Sequence, residues 1–254
     1  MNIPSFQLDG KVALVTGGSK GIGFGMAQAL GHYGAKLVIT SRGVEEGENA
    51  VAQLKEENIE AVYFPCDVTK KDQVEQLVEK VVDHYGSLDI LVNNAGMNIR
   101  KPLVEVEESD WDQVLTVNLK GLFLVGQACS KQMIKQNYGK IINISSILGT
   151  VGMQFQTSYA ASKGGINQLT KVWAEELAPH NITVNSIGPG YIKTPMTKEW
   201  LSDPERSQWI INSTMSKRIG ETSDLVGPVV FLASDTSAYV TGQILNVDGG
   251  WTAR

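Results

Sequence analysis

Lys11-Val12-Ala13-Leu14-Val15-Thr16-Gly17-Gly18-Ser19-Lys20-Gly21-Ile22-Gly23 sets a short apolar run, rich in β-branched residues, directly before a glycine turn. A helical pattern follows through about Tyr33. Strand, glycine turn and helix, in that order, make a phosphate site. Glycines let the backbone turn tightly and approach a pyrophosphate closely, and the free N–H groups and dipole of the following helix attract its charge. The spacing, Gly17-x-x-x-Gly21-x-Gly23, differs from the commoner G-x-G-x-x-G fingerprint, so the strand-turn-helix context carries the reading, against a plain tight turn. Gly17, Ser19, Lys20, Gly21, Ile22 and Gly23 are the first candidate cofactor contacts.

Working outward, the second strand, Lys36–Thr40, ends at Ser41-Arg42, where a dinucleotide fold places the group that reads the adenosine ribose. An acidic residue there would bind a free 2′-hydroxyl and repel a phosphate. This chain has none. Arg42 offers a guanidinium fork, Ser41 a hydroxyl and Lys20 a second cation, a set that favours NADP(H) over NAD(H), against the alternative of two surface cations. Helix and strand then alternate: helices near Val44–Glu57 and Lys70–Tyr85, strands at Ala61–Pro65 and Asp89–Val92, and one long helix over Asp110–Gln136. A strand at Lys140–Ile144, a helix at Thr157–Ala178, a strand at Thr183–Ile187, a helix at Asp224–Ala233 and a strand at Gln243–Val247 complete the chain. The fold class is α/β, a single-domain Rossmann-type doubly wound parallel sheet of about seven strands with helices on both faces. The alternation lapses between Pro195 and Gly220, a polar segment containing Trp200 and Trp209 and long enough to be a substrate lid.

Composition narrows the function. The chain has 254 residues, 42% hydrophobic and 19% charged, with a net charge of −5, so it carries no basic field for nucleic acid. No segment reaches the roughly 18 uninterrupted apolar residues of a membrane span, and Met1-Asn2-Ile3-Pro4-Ser5 lacks the basic start and apolar run of a signal peptide. A cytoplasmic location, no membrane partner and no metal are the expectations. Cys66 and Cys129 make no metal or disulfide spacing and read as small buried hydrophobes; His32, His84 and His180 sit near expected helix C-termini, where they favour the dipole.

The chemistry centres on Tyr159-Ala160-Ala161-Ser162-Lys163. A phenol and an ammonium four residues apart share one helix face, and a nearby cation lowers a phenol pKa of about 10. A solvated helix face is the competing reading of the pair alone. Asn118 stands amid apolar residues, Ser145-Ser146 follows a strand, and Asp67-Val68, Asn93-Asn94-Ala95-Gly96 and Pro189-Gly190 lie past strand ends, where such sheets bind ligands.

Taken together, Thr16-Gly17-x-x-x-Gly21-x-Gly23, Asn93-Asn94-Ala95-Gly96, Asn118, Ser146, Tyr159-x-x-x-Lys163 and Pro189-Gly190 with Thr194 resemble the short-chain dehydrogenase/reductase family over essentially the whole length. The resemblance implies Tyr159 as general acid/base, Ser146 holding the substrate oxygen, Lys163 lowering the tyrosine pKa and binding the nicotinamide ribose, and Asn118 holding a water that links Lys163 to solvent. It further implies Asp67 and Val68 beside the adenine, Asn94 with Ala95 and Gly96 on the adenosine side, and Pro189, Gly190, Ile192 and Thr194 near the nicotinamide. Phe123-Leu124-Val125-Gly126-Gln127, Pro189-Gly190-Tyr191 and Arg218-Ile219-Gly220 are similar to gluconate 5-dehydrogenases and related sugar-acid or polyol dehydrogenases. Arg100, with Tyr191, is then the candidate for holding a substrate carboxylate, against a solvated Arg100-Lys101 pair. A 3-oxoacyl-carrier-protein reductase or a broad carbonyl reductase is the alternative, and a dinucleotide-binding regulatory protein the non-enzyme one. The family is usually a homotetramer, which implies the Asp110 and Thr157 helices at an interface and Trp251–Arg254 reaching a neighbour.

Overall fold

In the computed structural model, which describes residues 3–253, the seven strands are β1 (Val12–Thr16), β2 (Lys36–Thr40), β3 (Ala61–Tyr63), β4 (Ile90–Asn93), β5 (Gly139–Ile144), β6 (Ile182–Pro189) and β7 (Ile244–Val247). Arg254, part of the tail assigned from sequence to a neighbouring subunit, and Met1 and Asn2 lie outside the described residues. All strand pairs are parallel, in the order β3-β2-β1-β4-β5-β6-β7. Strand alternation divides β1 between two cores. Ala13 and Val15 pack with α1 (Gly21–His32), α2 (Val44–Glu56) and α9 (Val226–Ala233). Val12 and Leu14 face α3 (Lys71–Tyr85), α5 (Leu122–Gln136) and α6 (Thr157–Leu177) on the other side. A strand covered on both faces needs the unbroken apolar run seen in the sequence, and all five residues of β1 are buried. Turn chemistry stops the helices: α3 ends at Gly86 (φ 84) and α5 at Asn137 (φ 52), both left-handed.

The chain runs from β1 outward to β3 and returns to β4 on the other side of β1. The reversal leaves a crevice at the carboxyl ends of β1 and β4, where the glycine turn and Asn93-Asn94-Ala95-Gly96 sit.

Two expectations need correction. The long helix over Asp110–Gln136 is broken into α4 (Glu108–Leu115), a π turn at Thr116–Gly121, and α5. A π turn holds one residue more than an α turn, and such turns recur at functional sites. This one contains Asn118. The polar segment after Pro195 is not irregular: it holds α7 (Pro195–Lys198), a 3₁₀ turn at Trp200–Ser202 and α8 (Pro204–Ser213). Asp203 caps α8 by accepting the Arg206 N–H at 3.1 Å, and Pro204 fits its first turn, so the helix has an ordinary start signal. The base of the segment is closed where Lys193 N donates to Gly220 O and Gly220 N to Tyr191 O, each at 2.9 Å. Smaller shifts occur at β3, which stops at Tyr63 before Pro65, and at α9, which is preceded by a 3₁₀ turn at Thr222–Leu225.

Candidate active site

A cavity of about 390 Å³ runs from the glycine turn to Tyr191, and every site residue predicted from sequence lines it except Asn118. Gly17 (φ +62) and Gly21 (φ +59) hold left-handed conformations that glycine adopts freely, and a Cβ on Gly23 would strike the Gly17 carbonyl and the Asn94 amide. Asn94 ties the turn to β4: its Nδ2 donates to Thr16 O at 2.9 Å and Gly17 O at 3.2 Å. Thr16 Oγ1 in turn accepts the N–H groups of Asn94 and Ala95 at 2.9 and 3.0 Å. A backbone cradle of this shape, at the N-terminus of α1, fits a dinucleotide pyrophosphate. Pro189 and Gly190 at the end of β6, with Ile192 and Thr194 beyond it, form the far wall, the end expected to face a nicotinamide.

At the end expected to hold the adenosine, Asp67 and Val68 flank the cavity. Burial alone would raise the Asp67 pKa, but hydrogen bonds from Thr69 and the charges of Arg42 and Lys70 outweigh it and hold the carboxyl low. Arg42 lies exposed with no ion pair among the described residues. Lys20 differs from the expectation of a second free cation: its Nζ bonds both carboxylate oxygens of Glu46 at 3.0 Å. Glu46, in the first turn of α2, lies 26 residues further on and reaches the loop only once the sheet brings β1 and β2 together.

The candidate proton-transfer residues converge at the start of α6. Lys163 is buried, its Nζ donates to Ile144 O at 2.7 Å, and it lies 5.4 Å from the centre of the Tyr159 ring. Burial brings its pKa down to about 8. Burial also pushes the Tyr159 phenol up, offset in part by the Ser146 hydroxyl and the Arg100 guanidinium. The groups that draw the phenol down are thus Ser146 and Arg100, and the Lys163 ammonium is turned to the backbone of β5. Ser146 is oriented by accepting the Leu148 N–H at 3.1 Å. Ser145 donates instead to the carbonyl of Lys163 at 3.2 Å, which separates the two serines. Asn118 is fully buried: Oδ1 accepts from Met97 N at 2.8 Å, and Nδ2 donates to Met97 O at 2.9 Å and Ser162 Oγ at 3.1 Å. Ser162 donates in turn to Tyr159 O at 2.7 Å. With its amide engaged on both sides, the Asn118 side chain is a strut between the loop after β4 and α6.

The Lys163 shift gives a stability prediction. Its folded pKa lies below its unfolded value of 10.5, so between about 8 and 10.5 the folded state binds fewer protons than the unfolded one and stability rises with pH. Thermal melts of the cofactor-free enzyme should therefore show the wild type gaining on a Lys163→Met variant across that window. A difference that stays flat or shrinks contradicts the burial of a charged Lys163.

At the other end of the cavity Arg100 and Lys101 part company. Lys101 pairs with Asp110 at 2.6 Å, outside the site. Arg100 lines the cavity, with Nε buried and unpartnered and no ion pair or hydrogen bond from its guanidinium among the described residues. Burial lowers its pKa, and the nearby Tyr191 and Tyr159 raise it; a guanidinium stays charged throughout. Tyr191 closes this end, its hydroxyl donating to Met153 Sδ at 2.7 Å and its ring 5.5 Å from Trp251.

The family model described as enoyl-(acyl carrier protein) reductase matches residues 17–252. The 5-keto-D-gluconate 5-reductase of Escherichia coli strain K12 is 44% identical over 245 residues, covering 96% of each chain. The chain belongs to the short-chain dehydrogenase/reductase family. A 3-oxoacyl-[acyl-carrier-protein] reductase of Thermotoga maritima is 42% identical over 245 residues, 96% of this chain and 98% of the relative. The structure of a gluconate 5-dehydrogenase from Burkholderia cenocepacia J2315, in complex with NADP and tartrate, superposes with a TM-score of 0.95 at 38% identity over 98% of both chains. Within the short-chain dehydrogenase/reductase family this chain is an oxidoreductase acting on CH–OH groups, similar to the gluconate 5-dehydrogenase group.

Several residues of this short-chain dehydrogenase/reductase site escaped the sequence reading. Asn98 donates to Gln156 Oε1 at 2.8 Å, and both line the cavity beside Arg100. Asn98 lies two residues before Arg100 in the loop after β4 and carried no local signal of its own. Gln156 and Glu46 had no local signal.

Proposed function

We propose that this enzyme interconverts a secondary alcohol and a ketone on a sugar acid or related polyol acid with NADP(H), in the manner of a gluconate 5-dehydrogenase. The observation that carries the reading is the Arg100 guanidinium, half-buried in the cavity with no carboxylate paired to it among the described residues. A buried cation left unpaired is costly, and a carboxylate on the substrate removes that cost with a bidentate hydrogen-bonded pair. The relatives' names, 5-keto-D-gluconate 5-reductase and gluconate 5-dehydrogenase, and the tartrate in the Burkholderia structure support an anionic polyhydroxy ligand.

A nicotinamide bound in the cavity would supply the hydride in reduction and take it back in oxidation. The chain does the rest. Arg100 holds the carboxylate so that the ketone oxygen meets Ser146 and Tyr159. Tyr159, kept protonated by burial, donates its proton to the alkoxide oxygen as it forms, while Ser146 hydrogen-bonds the same oxygen. In oxidation the tyrosinate takes the proton back. Lys163, anchored on Ile144 O, fixes one wall of the nicotinamide end and supplies a positive charge near the ring of Tyr159.

Arg42 is the group that favours NADP(H): it is the cation at the ribose end not already paired. Arg42→Ala should raise the Michaelis constant for NADPH about tenfold and leave that for NADH nearly unchanged, as expected when one guanidinium–phosphate contact is removed. Equal effects on both cofactors in initial-rate measurements contradict the assignment. Residues 195–220 act in the same proposal as a lid on one dinucleotide-binding unit, in a cytoplasmic homotetramer.

The close 3-oxoacyl-[acyl-carrier-protein] reductase relative supports a second reading, reduction of an acyl thioester. The uncompensated guanidinium in the cavity speaks against it, because an apolar acyl chain leaves that charge unpaired. Initial rates with NADPH on a 5-keto sugar acid, a neutral keto-sugar and a 3-oxoacyl thioester separate the readings. The sugar acid should give the highest kcat/KM; a preference for the thioester overturns the proposal.

A further inference from the structure

Two guanidinium groups lie over the indole of Trp200, on the lid: Arg206 Cζ is 3.7 Å from the ring centre and Arg100 Cζ 4.9 Å. They are held very differently. Arg206 is fixed within the lid, its Nη1 donating to Trp200 O at 3.0 Å and its Nη2 lying 3.4 Å from Asp203 Oδ2. Arg100 has no such restraint among the described residues. The indole Nε1 is buried without an acceptor, so this seat gives the N–H nothing, and the ring face is the part in use. A tryptophan face attracts a guanidinium through its quadrupole, more strongly than other rings do and more strongly when desolvated. Arg206 and Arg100 repel one another, and Asp203 answers the charge of Arg206 alone.

We propose that Trp200 is a positioning residue for the substrate anion: braced by Arg206, its ring face holds the Arg100 guanidinium toward the reacting carbonyl, and a carboxylate bound at Arg100 fastens the lid through the same ring. The inference rests on the reading of Arg100 as the carboxylate clamp. A carboxylate neutralises the Arg100 charge, relieves the repulsion from Arg206 and leaves both stacked contacts in place. An uncharged ketone relieves nothing. The lid thereby distinguishes acids from neutral compounds without itself touching the carboxylate.

The test compares a keto sugar acid with its uncharged amide in the wild type, Trp200→Leu, Trp200→Phe, Arg100→Ala and the Arg100→Ala/Trp200→Leu double variant. Trp200→Leu should raise KM for the acid about tenfold and shift KM for the amide less than about twofold, as loss of one desolvated stacking contact predicts. Trp200→Phe, which keeps an aromatic face, should recover most of the loss. In the double variant, removal of Trp200 should add almost nothing to the loss from Arg100→Ala, because both act through one guanidinium. Equal losses for acid and amide, or additive losses in the double variant, mean that Trp200 serves only lid structure and overturn the inference. If Arg100→Ala abolishes the acid preference while Trp200→Leu and Trp200→Phe leave it intact, the positioning role fails and the clamp stands. If the wild type shows no acid preference, the clamp and the positioning role fall together. Should Trp200→Leu not fold, the comparison of Trp200→Phe with the wild type, alone and on Arg100→Ala, decides the same question.

Discussion

Tyr159→Phe should lower kcat by about 10³-fold, within the range attributed to general acid–base catalysis, while the dissociation constant for NADPH changes by less than about twofold. The two readouts separate because the phenol oxygen is the only atom removed. The ring remains to pack beside Lys163, and that ammonium keeps its bond to Ile144 O. Burial favours the protonated phenol, the form that can donate to a nascent alkoxide. Stopped-flow turnover and fluorescence titration of NADPH give the two values. Retention of more than about a tenth of the wild-type kcat places the proton donor elsewhere.

Arg100→Ala has the second large effect. Truncating one partner of a buried charged hydrogen bond costs about 2–5 kcal/mol, so the ratio of kcat/KM for a keto acid to that for its amide should fall by about 10². Part of the loss is specific to the acid and part is shared, because Arg100 also draws down the phenol pKa of Tyr159. The ratio isolates the first part. Stability should move the other way: the free protein loses an unpaired half-buried charge that repels Arg206, and its Tm should hold or rise. A variant that loses acid and amide activity equally and melts earlier makes Arg100 a structural residue.

Much of this site was legible because it depends on backbone conformations that few residues supply. The glycine turn, the strand that precedes it and the helix that follows appear at Val12–Thr16 and Gly21–His32, within a residue or two of their expected bounds. Continuous apolar strands announced a sheet covered on both faces. What could not be read depends on side chains that meet only after folding. Asn118 looked like an isolated amide, and its partners Met97 and Ser162 come from a loop and from the catalytic helix. Lys20 looked free until Glu46 was brought beside it. Arg100 and Lys101 were chemically alike in sequence, and only the position of Asp110 on α4 decides which of them faces the cavity. The helices between Pro195 and Gly220 were obscured by their shortness, although Asp203-Pro204 carried a start signal. Trp200 stood out as an aromatic in a polar stretch, with nothing local to reveal the two guanidinium groups it meets.

The proposed reaction depends on a carboxylate held by Arg100 while Ser146 and Tyr159 act on the ketone. The most direct measurement is kcat/KM of the wild type, with NADPH, for a 5-keto sugar acid and for the amide of the same acid, which differ only in the charge that Arg100 would bind. A ratio of about 10² in favour of the acid is predicted from the energy of such a pair. A ratio near one contradicts the account.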